Sequence, residues 1–83
     1  MKILYFAWLR QHTGIGEEDV VLPESVRDVG SLVEWLKQRS PEFAEALKDT
    51  SAVRVAVNQE FASFDTVLSG NEEVALFPPM TGG

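Results

Sequence analysis

Residues 28–36, Asp-Val-Gly-Ser-Leu-Val-Glu-Trp-Leu, are the stretch from which the fold can be built. Asp28 is a good N-cap, because its short carboxylate accepts hydrogen bonds from the first free amides of a helix. The apolar residues that follow recur with the spacing of one helical face: Val29, Leu32, Val33 and Leu36. The stretch therefore predicts an amphipathic helix that begins at Asp28, and Ser40-Pro41 predicts the start of a second, short helix.

Strand patterns stand on both sides of this helical part. Before it, the apolar run of residues 2–10 predicts a central strand covered on both faces, and residues 18–22 predict a second strand, paired with the first as a hairpin. After it, residues 53–57 alternate as in a strand with one wetter face. Residues 73–77 predict a last strand, which ends at Pro78-Pro79. One sheet must then bury a face against the main helix.

The order of these elements places the helical part between two hairpin-like regions. With the first and last strands adjacent and central, the predicted fold is an α+β β-grasp, a ubiquitin-like fold with a mixed sheet packed on one main helix. We predict a domain over residues 1–77 and a flexible, extended C-terminal tail over residues 78–83 that ends in Gly-Gly. The tail is expected to project because neither proline can donate to a sheet ladder and both favour a stiff extension.

Length and composition narrow the classes of function. The chain has 83 residues, a net charge of −6 and no cysteine. A chain this short forms one small core and leaves little material for a deep cleft. The negative charge argues against a nucleic-acid partner, the longest apolar run is too short to cross a bilayer, and the lack of cysteine fits a reducing compartment. We therefore expect a cytoplasmic protein with neither nucleic acid nor a membrane as a partner.

Few side chains offer catalytic chemistry. His12 is the only histidine and has no evident catalytic partners, so we interpret it as an exposed loop residue. The acidic residues 17–19 lack the alternating ligand spacing of a calcium loop, and a solvated loop is the simpler interpretation. Gly14-Ile15-Gly16 lacks the Lys and Ser/Thr of a phosphate-binding loop. We expect no bound cofactor, no metal site and no turnover by the isolated chain.

The end of the chain offers a different kind of reacting group. Gly82 and Gly83 have no Cβ and can enter a slot too narrow for any other residue. Residues 77–83 reach at most about 20 Å when extended, enough to deliver a carboxylate into the active site of another protein. A free terminal carboxyl, with a pKa near about 3.5, is ionised at neutral pH and is a poor electrophile, so acyl chemistry at Gly83 requires activation, most simply by adenylation. A frayed end without function is the alternative, and the two prolines at the exit argue against it.

The most specific motif is Phe77-Pro78-Pro79-Met80-Thr81-Gly82-Gly83. Supporting motifs are Phe6-Ala7-Trp8-Leu9-Arg10, Val57-Asn58-Gln59, Ser63-Phe64-Asp65 and Gly70-Asn71-Glu72-Glu73-Val74. Through these motifs the sequence resembles, over its whole length, the small, sulfur-carrying subunits of molybdopterin synthase, a family of ubiquitin-like sulfur carriers. The resemblance implies that an enzyme similar to ubiquitin-activating proteins uses ATP to adenylate the Gly83 carboxylate, which is then converted to a thiocarboxylate.

The same resemblance implies a second partner. The loaded tail would enter the large subunit of molybdopterin synthase, in a heterotetramer, and give its sulfur to a cyclic pyranopterin phosphate to form the dithiolene of molybdopterin. The chain would then be the non-catalytic part of a sulfurtransferase complex. Its terminal carboxyl would be the one group able to bear a transferable sulfur, since the chain has no thiol. Met80 stands where valine is common in the family.

Alternation along the strands predicts where a partner binds. If Val74 and Leu76 face the helix, Ala75 and Phe77 face away from it. In the same way Leu4, Phe6 and Trp8 would face away if the first strand runs to residue 10, and Arg10 would be a charged contact at the rim. Together with the tail, the predicted partner-binding residues are Phe6, Arg10, Phe61, Phe77, Pro78, Pro79, Met80 and Thr81.

Two other functions stay open on the sequence. A sulfur carrier for thiazole synthesis would share the fold and the Gly-Gly end, although the paired prolines argue against it. A ubiquitin-like modifier or interaction module would join its tail to lysines or leave the tail unreacted.

Overall fold

The computed structural model describes residues 1–79. Its elements in chain order are β1 (Lys2–Tyr5), α1 (Ala7–Thr13), β2 (Glu17–Asp19), α2 (Val29–Lys37), α3 (Pro41–Ala46), a 3-10 turn (Thr50–Ala52), β3 (Arg54–Val57), β4 (Glu60–Ala62) and β5 (Glu73–Phe77). The strands form one sheet in the order β2-β1-β5-β3-β4. Strand β1 runs parallel to β5, and the other neighbouring strands are antiparallel. The predicted α+β β-grasp, with the first and last strands adjacent inside a mixed sheet, is confirmed.

Helix α2 begins where the sequence predicts. The Asp28 carboxylate accepts a hydrogen bond from the Ser31 amide at 2.8 Å, and the Ser31 hydroxyl lies 3.1 Å from the Asp28 amide, which donates to it. This reciprocal capping box satisfies two backbone donors that a helix start leaves free. The predicted apolar stripe of α2 is fully buried: Val29, Leu32, Val33 and Leu36.

The core lies between α2 and one face of the sheet. Every second residue of the strands points into it, which is the parity expected for a sheet covered on one side. The strand residues buried there are Ile3, Tyr5, Val55, Val74 and Leu76. The short helix α3, predicted from Ser40-Pro41, adds Phe43 and Ala46.

Residues 7–13 correct the sequence prediction, because the first strand does not continue to residue 10. Phe6 donates the last ladder hydrogen bond to the Leu76 carbonyl at 3.1 Å, and α1 begins at the next residue. It ends at Gly14, whose φ of +79° is the left-handed cap that glycine adopts without strain. The run looked strand-like because a buried helical turn is as apolar as a buried strand, and only four residues of β1 have partners in β5.

The connection from β1 to β2 also differs from the predicted hairpin, because helix α1 lies between the two strands. Strands β1 and β2 are antiparallel as predicted, but α1 lies between them, so they are not joined by a tight hairpin turn. Strand β2 covers Glu17–Asp19 and not residues 18–22, although the Met1 amino group still reaches the Val20 carbonyl at 3.0 Å. The acidic residues 17–19 are therefore an edge strand and not a solvated loop.

One polar link ties the sheet to the helices. The Tyr5 hydroxyl donates to Glu18 at 2.6 Å, and Arg39 donates to both carboxylate oxygens of Glu18 at 2.6 and 2.9 Å. The Arg39 guanidinium also lies 4.9 Å from the centre of the Phe43 ring. Burial and the bond to Glu18 raise the pKa of Tyr5. Burial alone would raise the pKa of Glu18, but the bonds from Arg39 and Tyr5 outweigh it and lower that pKa.

A carboxylate also organises the loop that leads into β5. Glu72 accepts hydrogen bonds from the Ser69 and Gly70 amides at 2.7 and 2.9 Å. Burial opposes ionisation, but these bonds favour the charged form and lower the pKa of Glu72 to about 2. This loop directly precedes β5, the strand that continues into Pro78.

We expect stability to fall with pH through the titration of Glu72. Its pKa is lower in the folded state than the ordinary value of 4.5, so its contribution is complete above about pH 4.5 and is lost as pH falls towards about 2. Thermal melts between pH 2 and pH 7 should show Glu72→Gln melting below the parent chain at pH 7 and converging with it near pH 2. Glu24→Gln removes the same charge from an exposed side chain, and an equal effect in that control would contradict the assignment.

Candidate functional site

The face of the sheet turned away from α2 has a continuous apolar row. Leu4 of β1 lies beside Ala75 of β5, Ala75 beside Ala56 of β3, and Ala56 beside Phe61 of β4. The structure places no helix on this side of the row within residues 1–79, and the side chains stay partly or largely exposed. A solvated sheet face ordinarily carries polar residues, so this row indicates a binding surface.

Three phenylalanines at the end of this face form a cluster, here called the aromatic face: Phe6, Phe61 and Phe77. Phe6 is 47% exposed and Phe61 is 82% exposed. The rings of Phe61 and Phe77 lie 5.9 Å apart between centres. Val74 and Leu76 are buried, so the predicted parity of β5 holds and Phe77 points to the other side.

A groove of about 370 Å³ runs beside the aromatic face where the chain leaves the sheet. It is lined by Arg54, Val55, Phe61, Ala62, Phe77 and Pro79. Pro78 and Pro79 are both half-buried and continue directly from the end of β5. A partner protein that binds the segment after Pro79 would therefore also contact this groove and the aromatic face.

The structure corrects three placements near this surface. Trp8 was expected on the exposed face of the first strand, but it lies on α1, packs partly buried against the core and meets His12 edge-on at 6.1 Å. Arg10 also lies on α1 and not at the end of a strand, although it remains exposed and close to Phe6 in the chain. His12 is exposed as expected but belongs to this helix and not to a loop.

The remaining predicted site residues lie outside the part of the chain that the structure describes. They are the four residues after Pro79: Met80, Thr81, Gly82 and Gly83. Their roles stay predictions, as does the partner-binding role of the aromatic face.

Over residues 1–79, no group of three or more acidic or histidine side chains could hold a metal ion. The side chains with the largest pKa displacements are engaged in structural contacts, Tyr5 with Glu18 and Glu72 with its loop. No helix among those residues is long and apolar enough to cross a membrane.

Arg54 is a site residue that the sequence prediction missed. The pattern of residues 53–57 marked it only as the wet position of a strand. The pairing of β3 with β5 brings it directly opposite Phe77. Pairing between strands distant in sequence is what creates this neighbour, and no local signal reports it.

Comparison with known proteins agrees with this geometry. The model of the ThiS family matches residues 3–83. The molybdopterin synthase sulfur carrier subunit of Escherichia coli (strain K12) is 37% identical over 83 residues, with all of this chain and 99% of that protein covered. The corresponding subunit of Mycobacterium tuberculosis is 34% identical, with 100% and 96% covered.

Solved structures show the same fold. A putative molybdopterin converting factor, subunit 1, from Pyrococcus furiosus superposes with a TM-score of 0.75 at 36% identity, and 95% of each chain is covered. SAMP1 from Haloferax volcanii also has a TM-score of 0.75, at 26% identity, with 100% of this chain and 98% of that chain covered. With a match to the family model from residue 3 to residue 83 and relatives of the same kind over their full length, the chain belongs to the ThiS family.

Proposed function

We propose that this protein carries sulfur as a thiocarboxylate on Gly83 and donates it to a cyclic pyranopterin phosphate in a molybdopterin synthase. The role of sulfur carrier follows from membership of the ThiS family and from the relatives that bear this name. The observation that supports the rest is the arrangement at the end of β5. There the chain that leads to Gly82-Gly83 leaves the central strand through two prolines, next to the exposed aromatic face.

The chemistry starts at the terminal carboxylate. One carboxylate oxygen of Gly83 attacks the α-phosphorus of ATP, pyrophosphate leaves, and a mixed anhydride with AMP forms. A sulfide equivalent from a donor protein then attacks the carbonyl carbon, the bond to AMP breaks, and a thiocarboxylate remains. Activation is required because an ionised carboxylate is a poor electrophile. Glycine suits this position because its carbonyl carbon has no side chain beside it.

Two partners follow from this sequence of reactions. An adenylating enzyme similar to ubiquitin-activating proteins supplies the ATP site, and the large subunit of molybdopterin synthase supplies the site for the pterin. The aromatic face is the surface on which we expect these partners to dock, with Pro78 and Pro79 aiming the tail. We expect these steps in the cytoplasm, with no cofactor held by the carrier itself.

The proposal is tested by the intact mass of the carrier. After co-expression with the adenylating enzyme and a sulfur donor, the purified chain should gain about 16 Da, because one carboxyl oxygen is replaced by sulfur. The loaded chain should then form the dithiolene when it is mixed with the large subunit and the cyclic pterin. The matched control is the unloaded chain, which should form no product with the same partner.

Three other results of this experiment would each lead to a different conclusion. A carrier that gains the same mass but supplies sulfur only to thiazole formation would identify the other class of sulfur carrier. Covalent adducts to lysines of other proteins, without the gain of sulfur, would identify a modifier. Product formation by the unloaded chain alone would show that a catalytic group has been overlooked.

A further inference from the structure

The cations of this acidic chain are unevenly paired. Four of its seven Lys and Arg side chains form ion pairs with carboxylates of the same chain: Lys2, Lys37, Arg39 and Lys48. The other three, within residues 1–79, have no carboxylate within 4 Å: Arg10, Arg27 and Arg54. Two of these three, Arg10 and Arg54, lie beside the aromatic face.

Arg54 is held in place without a counter-charge. Its guanidinium donates to the Ser51 carbonyl at 2.9 Å and lies opposite Phe77 in the sheet. It also lines the groove next to Pro79. A guanidinium fixed by a neutral carbonyl keeps most of its five donors free, and less freedom is lost when a carboxylate binds it.

Arg10 lies on the other side of the aromatic face, where its side chain packs over the backbone. Its side chain crosses Gly16, where an added Cβ would lie 3.1 Å from both Cζ and Nε of Arg10. It lines a depression with Leu4, Phe6 and Glu17, and the Glu17 carboxylate pairs with Lys2 at 3.3 Å. The end of the sheet therefore presents, from one side to the other, Arg10, Phe6, Phe77 and Arg54.

We propose that Arg10 and Arg54 select the partner, by binding carboxylates that stand on either side of an apolar pocket for the phenyl rings. The partner meant is a protein surface with acidic residues at its rim, and the inference rests on the proposed function because the large subunit is taken as that partner. Guanidinium groups bind carboxylates through two parallel hydrogen bonds, which fix orientation as well as affinity. Because the chain has a net charge of −6, an acidic surface is attracted more strongly to this end, where two guanidinium groups lack a carboxylate partner, than to the rest of the chain.

Charge reversal tests the proposal in the complex with the purified large subunit. We expect Arg54→Glu and Arg10→Glu each to weaken binding about tenfold or more, since each puts like charges together at the interface. Arg27→Glu is the matched control, because it changes the net charge equally from an exposed position just before α2 and should change affinity less than about twofold. Circular dichroism should show the same fold and melting temperature for all four chains.

Further variants separate charge from packing. Arg54→Lys keeps the positive charge but loses the planar set of guanidinium donors. Its affinity for the large subunit should lie between that of the parent chain and that of Arg54→Glu. The difference in affinity between the parent chain and Arg54→Glu should become smaller as the salt concentration is raised, because salt screens charges at the rim of an interface. Equal losses in Arg27→Glu and Arg54→Glu, or full affinity in both Arg10→Glu and Arg54→Glu, would overturn the inference and leave the proposed function standing. Failure of the parent chain to bind the large subunit would overturn both.

Discussion

Deletion of Gly83 is expected to abolish sulfur transfer while the melting temperature of the protein stays unchanged. A tail one residue shorter reaches about 3.5 Å less far, and misplacement of a reacting group by 1 Å can already cost about a hundredfold in rate. We therefore expect dithiolene formation to fall by at least about a hundredfold. Stability should not change, because Leu76 is the last core residue among residues 1–79 and Gly83 follows it by seven residues in the sequence.

The measurement is single-turnover formation of dithiolene with the large subunit, together with intact mass to report loading. Adding one residue after Gly83 should have the same effect, since the reacting carboxyl is then displaced in the other direction. Gly82→Ala keeps the length and the terminal carboxyl, and so tests the narrowness of the channel separately. Transfer at the parent rate in the shortened or the extended chain would disprove the role of Gly83.

Two adjacent substitutions in β5 are expected to have opposite effects. Leu76 is fully buried, so Leu76→Ala should lower the free energy of unfolding by about 2–5 kcal/mol, a large part of the total for a small domain. Phe77 is only partly buried and lies on the aromatic face, away from the core, so Phe77→Ala should leave the melting temperature nearly unchanged. It should weaken binding to the large subunit by at least about 1 kcal/mol, the threshold for an energetically important interface residue.

Denaturant unfolding and calorimetric titration of both variants check this pair. Leu76→Ala serves as the control for Phe77→Ala, because the two changes lie one residue apart on opposite faces of one strand. A large loss of stability in Phe77→Ala, with affinity for the large subunit intact, would mean that Phe77 supports the core and that the aromatic face is not the docking surface.

The elements best predicted by the sequence are those whose signals are local. Asp28 caps α2, four apolar residues mark its buried face, and two prolines end β5. Each signal depends on residues within about one turn or one strand of each other. Asn58 and Gln59, with positive φ angles of 51° and 70°, form the tight turn between β3 and β4.

The start of the chain was predicted less well, because periodicity cannot separate a buried strand from a buried helical turn. Helix α1 carried two signals that the apolar run outweighed. One was the polar stretch Arg10-Gln11-His12, which no buried strand would contain, and the other was Gly14 as a helix cap. Alternation predicted the face on which Phe77 lies, but Arg54 was missed, because its neighbour Phe77 lies 23 residues later in the sequence, at the end of β5.

The position of β5 has a consequence for how the protein is made. Strand β5 bridges β1 and β3 in the sheet but is the last of the described strands in chain order, so the sheet cannot close until residues 73–77 have emerged from the ribosome. Folding of this sheet therefore depends on contacts that are distant in sequence and is completed only after β5 has been made. A nascent chain that stops before residue 77 lacks the strand on which the sheet depends and is open to proteolysis. Proteolysis of such chains would therefore also remove those that lack the segment after β5.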